Sequence, residues 1–415
     1  MKKANLLYFK HYFLLSVISM ILLTGCQKHI RDTNYNYTKP KELGDGIKTD
    51  DIKNVNIDCN KIIELTKLIL KDTFPNIHSL LILRDNKLVY ENYFSGKDEY
   101  WGLSLGYVKH DINILHDIRS ISKSVVSACI DIAIQQQRIK NIDDPIFIYL
   151  PDYIKFKTPQ NGKITIRHLL TMSSGIKWNE NLPTGAQANN ETQMERSLNP
   201  VEYVLSQPMD AIPGAVWNYN SGGVQVLAEI IKSVSGDDID KFAEKYLFKP
   251  LGITHYKWVK SSKSAVLFHP GKIFSHRRSF PAAASGLRLT SRDLLKFGSL
   301  YLNNGRWDDK QILSENWVNE TLKSQILREN NSTIYGYSYL FWTYAETINN
   351  KAFQIVSARG LGGQRIFMNK ELNLIVVITA GNYRRNDITN DGQLALDKYI
   401  LPALSTDNKS HKTCY

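Results

Sequence analysis

Long hydrophobic runs are missing from this 415-residue sequence, whose most apolar stretch covers only residues 12–23. A transmembrane helix needs about 20 consecutive apolar residues, so this stretch is too short to be a retained membrane span. Three lysines, Lys2, Lys3 and Lys10, lie before it. A basic segment followed by a short apolar run is typical of an export signal, and the sequence predicts one over residues 1–25.

The predicted signal is followed by a cysteine, and Leu23-Thr24-Gly25-Cys26 resembles the bacterial lipobox. In that motif the signal is cut before a cysteine that carries diacylglycerol, which predicts a lipoprotein bound to the membrane through Cys26. Gln27 resembles the sorting residue of outer-membrane lipoproteins, so we expect a location in the bacterial envelope that faces the periplasm. Secretion without lipid, after an ordinary signal with a chance cysteine, is the alternative.

Residues that commonly bind metal ions are few. The chain has four cysteines and ten histidines, and neither His-Glu-x-x-His nor Cys-x-x-Cys occurs among them. These spacings are the usual sequence evidence for zinc. We therefore predict no metal site and no cofactor.

The charge balance is moderately basic. Lysine and arginine total 52 against 40 acidic residues, a net charge of +12, which becomes +9 when the 3 signal lysines are subtracted. The basic residues are scattered along the chain and form no stripe, so we expect no nucleic-acid partner.

The order of the predicted elements indicates an α+β fold. Residues 26–57 are polar and lack an apolar period, which predicts a flexible tether before a folded domain at 58–405 and a short tail at 406–415. Apolar, β-branched runs predict strands at 79–83, 87–94, 353–358, 365–368 and 372–380. Helical spacing predicts helices at 57–71, 222–234, 239–247 and 291–302. We expect an antiparallel sheet built from N- and C-terminal strands, flanked by helices, with an inserted mainly helical subdomain.

Ser120 and Lys123 form a Ser-x-x-Lys pattern at the start of a long helical run. Residues three apart share a helix face, so the lysine amine is expected one turn from the serine hydroxyl. A serine nucleophile needs an adjacent base, and burial in an apolar helix favours neutral lysine. The pattern predicts a nucleophile and its base, although two fixed positions also occur together by chance.

Tyr219 lies in a loop that precedes a predicted helix, where it could face the serine. A phenol beside an ammonium group can hold or relay a proton, although a packed aromatic residue in a turn is the alternative. A glycine-rich segment with Gly362, Gly363 and Gln364 lies between two predicted strands. Its backbone can approach a substrate and supply an N–H to an oxyanion, and a simple glycine-rich hairpin is the alternative.

Ser104 is a rival nucleophile, because residues 102–106 satisfy the Gly-x-Ser-x-Gly pattern of the α/β-hydrolases. That motif requires an apolar strand before the serine and a helix after it. The preceding residues 97–100 are polar and residues 107–111 show no helical period. We therefore favour Ser120.

Ordered segments over residues 58–402 resemble the β-lactamase-related serine hydrolases: class C β-lactamases, D,D-peptidases, family VIII esterases and 6-aminohexanoate-oligomer hydrolases. The matching segments are 120–123, 143–145, 149–151, 164–175, 213–214, 219–221, 250–253, 285–287 and 360–364. The resemblance implies that Ser120 is acylated, that Lys123 is its base and that Tyr219 also serves the leaving group.

The same resemblance implies an oxyanion hole formed by the N–H of Ser120 and an N–H near Gln364. Ser221, Gly362 and Gly363 would line the substrate-binding surface. In this family the terminal helices lie side by side, so the resemblance also implies a disulfide bond between Cys59 and Cys414.

Two departures from the family pattern bear on the substrate. The Tyr-x-Asn motif of the β-lactamases ends here in Ser221, and no Lys-Thr-Gly precedes the last strands. The lysine of that triad contacts the acid group of the antibiotic, so we expect poor β-lactam turnover and cleavage of small esters or amides through an acyl-enzyme. The alternatives are a D-amino-acid peptidase or β-lactamase-like enzyme acting on peptidoglycan or β-lactams, and a catalytically silent envelope binding protein.

Overall fold

The chain combines one large sheet with many helices, most of which lie between its first and last strands. A computed structural model describes residues 34–182, 186–260, 279–330, 333–348, 351–384 and 391–404. The described strands are β1 (Ile77–Arg84), β2 (Lys87–Tyr93), β3 (Gly96–Tyr100), β4 (Leu103–Val108), β5 (His116–Asp117), β6 (Lys257–Trp258), β7 (Leu287–Leu289), β8 (Arg306–Trp307), β9 (Lys310–Gln311), β10 (Ile326–Asn330), β11 (Thr333–Tyr337), β12 (Trp342–Ile348), β13 (Lys351–Gly360), β14 (Gln364–Asn369) and β15 (Leu374–Ala380).

The described α-helices are α1 (Cys59–Leu70), α2 (Ile121–Gln135), α3 (Ile166–Leu170), α4 (Asn190–Arg196), α5 (Pro200–Leu205), α6 (Ser221–Ser235), α7 (Ile239–Ala243), α8 (Ser291–Leu302), α9 (Glu315–Thr321), α10 (Asp391–Ala395) and α11 (Leu401–Ala403). Short 3₁₀-helices lie at Ile52–Val55, Ile146–Ile148, Pro151–Phe156 and Asn161–Lys163, and π-helical turns at Glu244–Phe248 and Leu396–Ile400.

Eight strands form one antiparallel sheet in the order β10-β11-β12-β13-β14-β15-β1-β2. In β1, Leu81 pairs with Val377 of β15 on one side and with Glu91 of β2 on the other. The first strands of the domain are thus joined to the last ones. This arrangement confirms the predicted α+β fold.

Helices cover both faces of the central strands. Gly298 of α8 packs against Ile366 and Ile375, whereas Gly392 of α10 packs against Arg365 and Ile378. Successive residues of a strand point to opposite faces, so α8 and α10 lie on opposite sides of the sheet. Coverage of both faces explains why β1, β14 and β15 are buried almost throughout and why β15 is a nearly continuous apolar run.

The helical subdomain is built around α2 and α6, which pack against each other. Helix α6 begins where the Asn220 side chain accepts a hydrogen bond from the N–H of Gly223, and it ends at Gly236, whose φ is 82°. Asparagine at the start and a left-handed glycine after the end are the usual helix limits. The observed bounds of α1, α6 and α8 agree closely with the predicted helices.

The structure differs from the prediction of a tether over residues 26–57. Ile47, Ile52 and Val55 are buried. The hydroxyl of Tyr37 donates to the Val89 carbonyl oxygen at 3.0 Å and accepts from the N–H of Ile52 at 2.9 Å. The described part of this segment therefore packs on the folded domain from residue 36 onwards. Its apolar residues are too widely spaced to show a period.

Several predictions concern residues outside the described part of the chain. The signal at 1–25, Cys26, residues 27–33, Cys414 and the tail belong to this group. Cys59 takes part in a disulfide bond, and Cys129 is a buried free thiol. The pairing of Cys59 with Cys414 stays a prediction. No helix among the described residues combines the length and the apolar character needed to cross a bilayer.

Candidate active site

Ser120 and Lys123 meet at the beginning of α2. Ser120 is the residue before the helix, and the Lys123 amine donates to its hydroxyl oxygen at 2.9 Å. The same amine donates to the Ala284 carbonyl oxygen at 3.1 Å. Lys123 is 1% exposed, whereas Ser120 is partly exposed. The serine is therefore accessible, and its lysine partner is enclosed by protein.

The backbone turn before Ser120 is strained. Arg119 has a φ of 50°, a left-handed conformation that is unfavourable for a residue with a side chain. Its guanidinium group forms an ion pair with Glu99 at 2.6 Å and lies 4.9 Å from the ring centre of Tyr383. These contacts hold the turn that places Ser120 at the N-terminus of α2.

Tyr219 completes the group of three side chains. The Lys123 nitrogen lies 4.9 Å from the centre of the Tyr219 ring, and the pKa of the Tyr219 hydroxyl responds to both Lys123 and Ser120. The structure thus brings together a hydroxyl, an amine and a phenol from two distant segments. Because its ring contacts the Lys123 amine, Tyr219 is more than an aromatic residue packed in a turn.

Hydrogen bonds from both neighbours orient the Tyr219 loop. Asn218 donates its N–H to the Met172 carbonyl oxygen and its side-chain amide to the Trp178 carbonyl oxygen, each at 2.8 Å. On the other side, Asn220 caps helix α6. The phenol is consequently held between two anchored residues.

Glu180 lies directly behind this loop. Its carboxylate accepts from the Ser221 hydroxyl at 2.9 Å, from the Ser221 N–H at 2.8 Å and from the Trp178 ring nitrogen at 2.5 Å. Burial raises the pKa of Glu180, and the charge of Glu191 raises it further. Sequence reasoning missed Glu180 because it lies in a loop without a recognisable motif. Ser221 is fully buried and bonded to Glu180, so its predicted contact with substrate stays a prediction.

Burial is not the only influence on the charge of Lys123. Burial by itself does lower the pKa of Lys123, but the nearby Tyr219, Glu191 and Glu180 outweigh it, and the pKa lies above its usual value. The pKa of Tyr219 is also raised, first by burial and also by Glu180, although Lys123 opposes the rise. The resting site therefore holds an ammonium group and a protonated phenol at neutral pH.

The glycine-rich segment approaches the backbone just before Ser120. A Cβ atom added to Gly360, the last residue of β13, would lie 2.2 Å from the Ile118 carbonyl oxygen. Gly362 and Gly363 have φ values of 88° and 97°, which favour glycine. The segment needs its glycines for close approach and for the turn into β14.

Gln364 has a buried side chain that links two strands. Its amide bonds with the N–H and carbonyl oxygen of Ala380 in β15, and Gln364 itself pairs with Gly360 across the hairpin. The side chain therefore holds the sheet together. The contribution of an N–H from this segment to an oxyanion hole stays a prediction.

One side of the site is aromatic. The Tyr219 ring centre lies 5.9 Å from that of Trp342 and 6.5 Å from that of Tyr337. Trp217 lies 5.7 Å from Trp342, and the Arg328 guanidinium group covers Trp217 at 3.6 Å. Trp342 and Arg328 were not identified from the sequence, because no motif links them to the catalytic segments.

Ser104 does not lie on a nucleophile elbow. It belongs to β4, an exposed strand that pairs with β3, and its hydroxyl accepts from the Gly106 N–H at 3.2 Å. Its neighbours Leu103 and Leu105 are 69% and 49% exposed. A strand followed by a loop provides neither the helix nor the enclosed position that the motif requires.

The structure also gathers, outside this site, four side chains of types that bind metal ions. They are buried and their ligand atoms lie within 4.8 Å of one another: His78, Asp98, His110 and His116. The sequence gives no sign of the cluster because its members come from separate strands and a loop, at none of the usual spacings.

Comparisons with known proteins agree with this geometry. Residues 78–397 match the family described as Beta-lactamase. A candidate D-alanyl-D-alanine carboxypeptidase of Escherichia coli K12 is 27% identical over 187 residues, which cover 44% of this chain and 43% of that protein. The chain thus matches less than half of the length of this curated relative.

Two solved structures share the fold. A candidate 6-aminohexanoate-dimer hydrolase from Bacillus anthracis superposes with a TM-score of 0.63 at 17% identity, covering 89% of this chain and 88% of that one. The octameric penicillin-binding protein homologue from Pyrococcus abyssi has a TM-score of 0.55 at 20% identity, covering 81% and 75%. With the family match spanning most of its length, the chain belongs to the Beta-lactamase family, a hydrolase family of serine enzymes.

Proposed function

We propose that this protein hydrolyses small esters or amides through an acyl-enzyme on Ser120. The observation that carries the proposal is the contact between the Lys123 amine and the Ser120 hydroxyl at 2.9 Å, with the centre of the Tyr219 ring 4.9 Å from the same amine. A nucleophile within hydrogen-bond reach of its proton acceptors is the arrangement that covalent catalysis requires.

In the proposed reaction, Ser120 Oγ bonds to the substrate carbonyl carbon and gives its proton to the Tyr219–Lys123 pair. The N–H of Ser120, at the start of α2, stabilises the negative charge on the carbonyl oxygen. The bond to the leaving group then breaks, and the leaving group takes the proton. A water molecule attacks the acyl group, the pair receives the water proton, and Ser120 recovers it as the acid product leaves.

The raised pKa values of Lys123 and Tyr219 indicate which form of the site reacts. At rest both groups carry a proton, so one proton must leave before the pair can accept one from Ser120. The phenolate of Tyr219 beside the Lys123 ammonium group is the base we infer, because the ammonium charge lowers the pKa of the phenol. The active fraction should then increase with pH.

Two features support small esters or amides over β-lactams. The chain lacks the Lys-Thr-Gly lysine that would contact an acid group. Trp217 and Trp342 offer apolar surface beside Tyr219. The relatives described as carboxypeptidases favour a second candidate, a D-amino-acid peptidase, for which the cationic Arg328 near Trp217 is a possible carboxylate contact.

The purified protein is expected to cleave p-nitrophenyl butyrate with a kcat/KM about tenfold or more above that for nitrocefin. A charge-assisted hydrogen bond contributes about 1.5–3 kcal/mol, and nitrocefin would lack this contact here. Steady-state rates on both substrates test the preference, with a D-alanyl-D-alanine peptide as a third substrate. Faster cleavage of nitrocefin would refute the preference, and selective cleavage of the peptide would support the second candidate.

Replacing Glu180 by glutamine is expected to move the rising limb of the kcat/KM–pH profile to lower pH, by about 0.5–1 unit. The negative charge of Glu180 raises the pKa values of Lys123 and Tyr219, so its removal lowers both and lets the proton leave earlier. Glutamine can keep the hydrogen bonds to Ser221 and Trp178. A shift to higher pH would contradict the assignment, and Glu202→Gln in α5 is the surface control.

We further propose an envelope location with a lipid on Cys26. The support is the basic and apolar pattern of residues 1–25 and the lipobox-like residues 23–26. A small-molecule substrate in the periplasm would suit a hydrolase held at the membrane surface.

A further inference from the structure

We propose that this fold carries a second site, which binds a transition-metal ion such as Zn²⁺ through His78, Asp98, His110 and His116. All four side chains are buried, at no more than 4% exposure. Three imidazoles and one carboxylate are a donor set that zinc accepts in tetrahedral sites. The inference concerns the fold itself and goes beyond the proposed hydrolysis.

The ligands come from four separate segments of the chain. His78 lies in β1, Asp98 in β3 and His116 in β5, and His110 lies in the loop between β4 and β5. Glycines permit the close packing: a Cβ atom at Gly96 would lie 2.8 Å from the ring of His78. An ion here would fasten the β3–β4 hairpin and β5 to the end of the main sheet.

Contacts around the cluster orient its ligands. His78 Nε2 lies 3.0 Å from the Lys97 carbonyl oxygen. Because that oxygen can only accept, Nε2 carries the proton and Nδ1 has the lone pair. His116 Nε2 lies 3.3 Å from the Thr379 hydroxyl, and one Asp98 oxygen accepts from the Glu99 N–H at 2.8 Å. Hydrogen bonds of this kind commonly hold metal-binding imidazoles and carboxylates in place.

Several polar atoms inside the cluster have no partner in the described part of the chain. They are both ring nitrogens of His110, Nδ1 of His116 and the second oxygen of Asp98. Buried polar groups almost always form hydrogen bonds, and leaving one unsatisfied is costly. A bound cation would satisfy one ring nitrogen of His110, Nδ1 of His116 and the Asp98 oxygen together, whereas the stacked rings of His78 and His110, 3.8 Å apart, do not.

The spacing of the ligand atoms is compatible with binding. Ligand atoms in a tetrahedral zinc site lie about 3.4 Å apart, so the present spread within 4.8 Å requires only small inward movements.

The position of the cluster suggests what the ion would do. Next to His116, Asp117 accepts from the Trp101 N–H at 2.6 Å and lies 3.4 Å from Arg119 in the strained turn before Ser120. The ion would thus stabilise the segment that leads into this turn, without touching the substrate. We expect its main effect on stability, because it would bind the folded chain and not the unfolded one.

The test uses the purified protein without a histidine tag, stripped with EDTA and then dialysed against ZnCl₂. After removal of free metal, elemental analysis should find about one zinc ion per chain, with a higher Tm than the stripped protein. His110→Ala should lose the retained ion and the Tm increase. His255→Ala, which removes an exposed histidine outside the cluster, should keep both.

Asp98→Asn is a second variant of nearly the same shape, in case His110→Ala does not fold, and circular dichroism of the stripped proteins checks folding. Loss of zinc from a folded variant supports the proposal, as do visible bands typical of tetrahedral Co²⁺ in the cobalt-loaded wild type. Equal zinc retention by folded variants and wild type would overturn it. So would a wild-type protein that retains neither zinc nor cobalt, whatever the variants do.

Discussion

Replacing Ser120 by alanine is expected to lower kcat/KM for p-nitrophenyl butyrate by about 10⁴-fold or more, because the hydroxyl that forms the acyl bond is removed. The serine is partly exposed and its hydroxyl contacts Lys123, so alanine removes the reacting atom with little change in packing. Labelling by a fluorophosphonate should disappear with the activity. Thermal unfolding should remain close to that of the wild type.

Ser104→Ala is the matched control, since it removes the other serine that fits a nucleophile motif from an exposed strand. It should retain full activity and labelling. If Ser104→Ala were inactive while Ser120→Ala turned over normally, the assignment would be reversed. Failure of the wild type to label, under conditions that label a control hydrolase, would favour a silent binding protein.

Replacing Lys123 by methionine is expected to reduce kcat/KM by about 10²- to 10⁴-fold, the usual contribution of a general base. The ammonium group lowers the pKa of Tyr219, so its loss makes the phenolate scarcer at every pH. The remaining activity should therefore need a higher pH than the wild-type activity. Rates measured from neutral to alkaline pH test both statements.

Stability separates this effect from simple damage to the fold. Methionine has a similar length, but the raised pKa of Lys123 means that folding favours its charge, so the free energy of unfolding should fall modestly while the protein stays folded. Lys296→Met in α8 is the control, because Lys296 is also a buried lysine but lies beside Asp293. That variant should keep its kcat/KM. A fully active Lys123→Met protein would contradict the proposed proton transfer.

The sheet and its helices could be predicted, because buried strands and helices leave apolar runs and regular apolar spacing in a sequence. Strand β15 is almost entirely apolar because both of its faces are covered, and α6 and α8 have regular spacing and clear caps. The first part of the domain was harder to predict. Its buried residues, Ile47, Ile52 and Val55, are isolated within a polar segment and become core only through tertiary contacts.

The site was predictable only where residues are close in sequence or belong to a known motif. Ser120 and Lys123 share one helix, and Tyr219 was placed by its family-like loop. Glu180 and the histidine cluster depend on how distant segments meet, which the local pattern does not encode. The charges of Glu180 and Glu191, which oppose the effect of burial on the pKa of Lys123, also come from other segments.

The most direct test of the central claim is intact-protein mass spectrometry after brief incubation with p-nitrophenyl butyrate, followed by peptide mapping. We expect a mass increase of one acyl group, located on Ser120, which accumulates when the pH is lowered quickly to slow its hydrolysis. Lys123→Met and Tyr219→Phe should form this adduct far more slowly. An acyl group found on another residue, or substrate turnover that never passes through an adduct, would contradict the account.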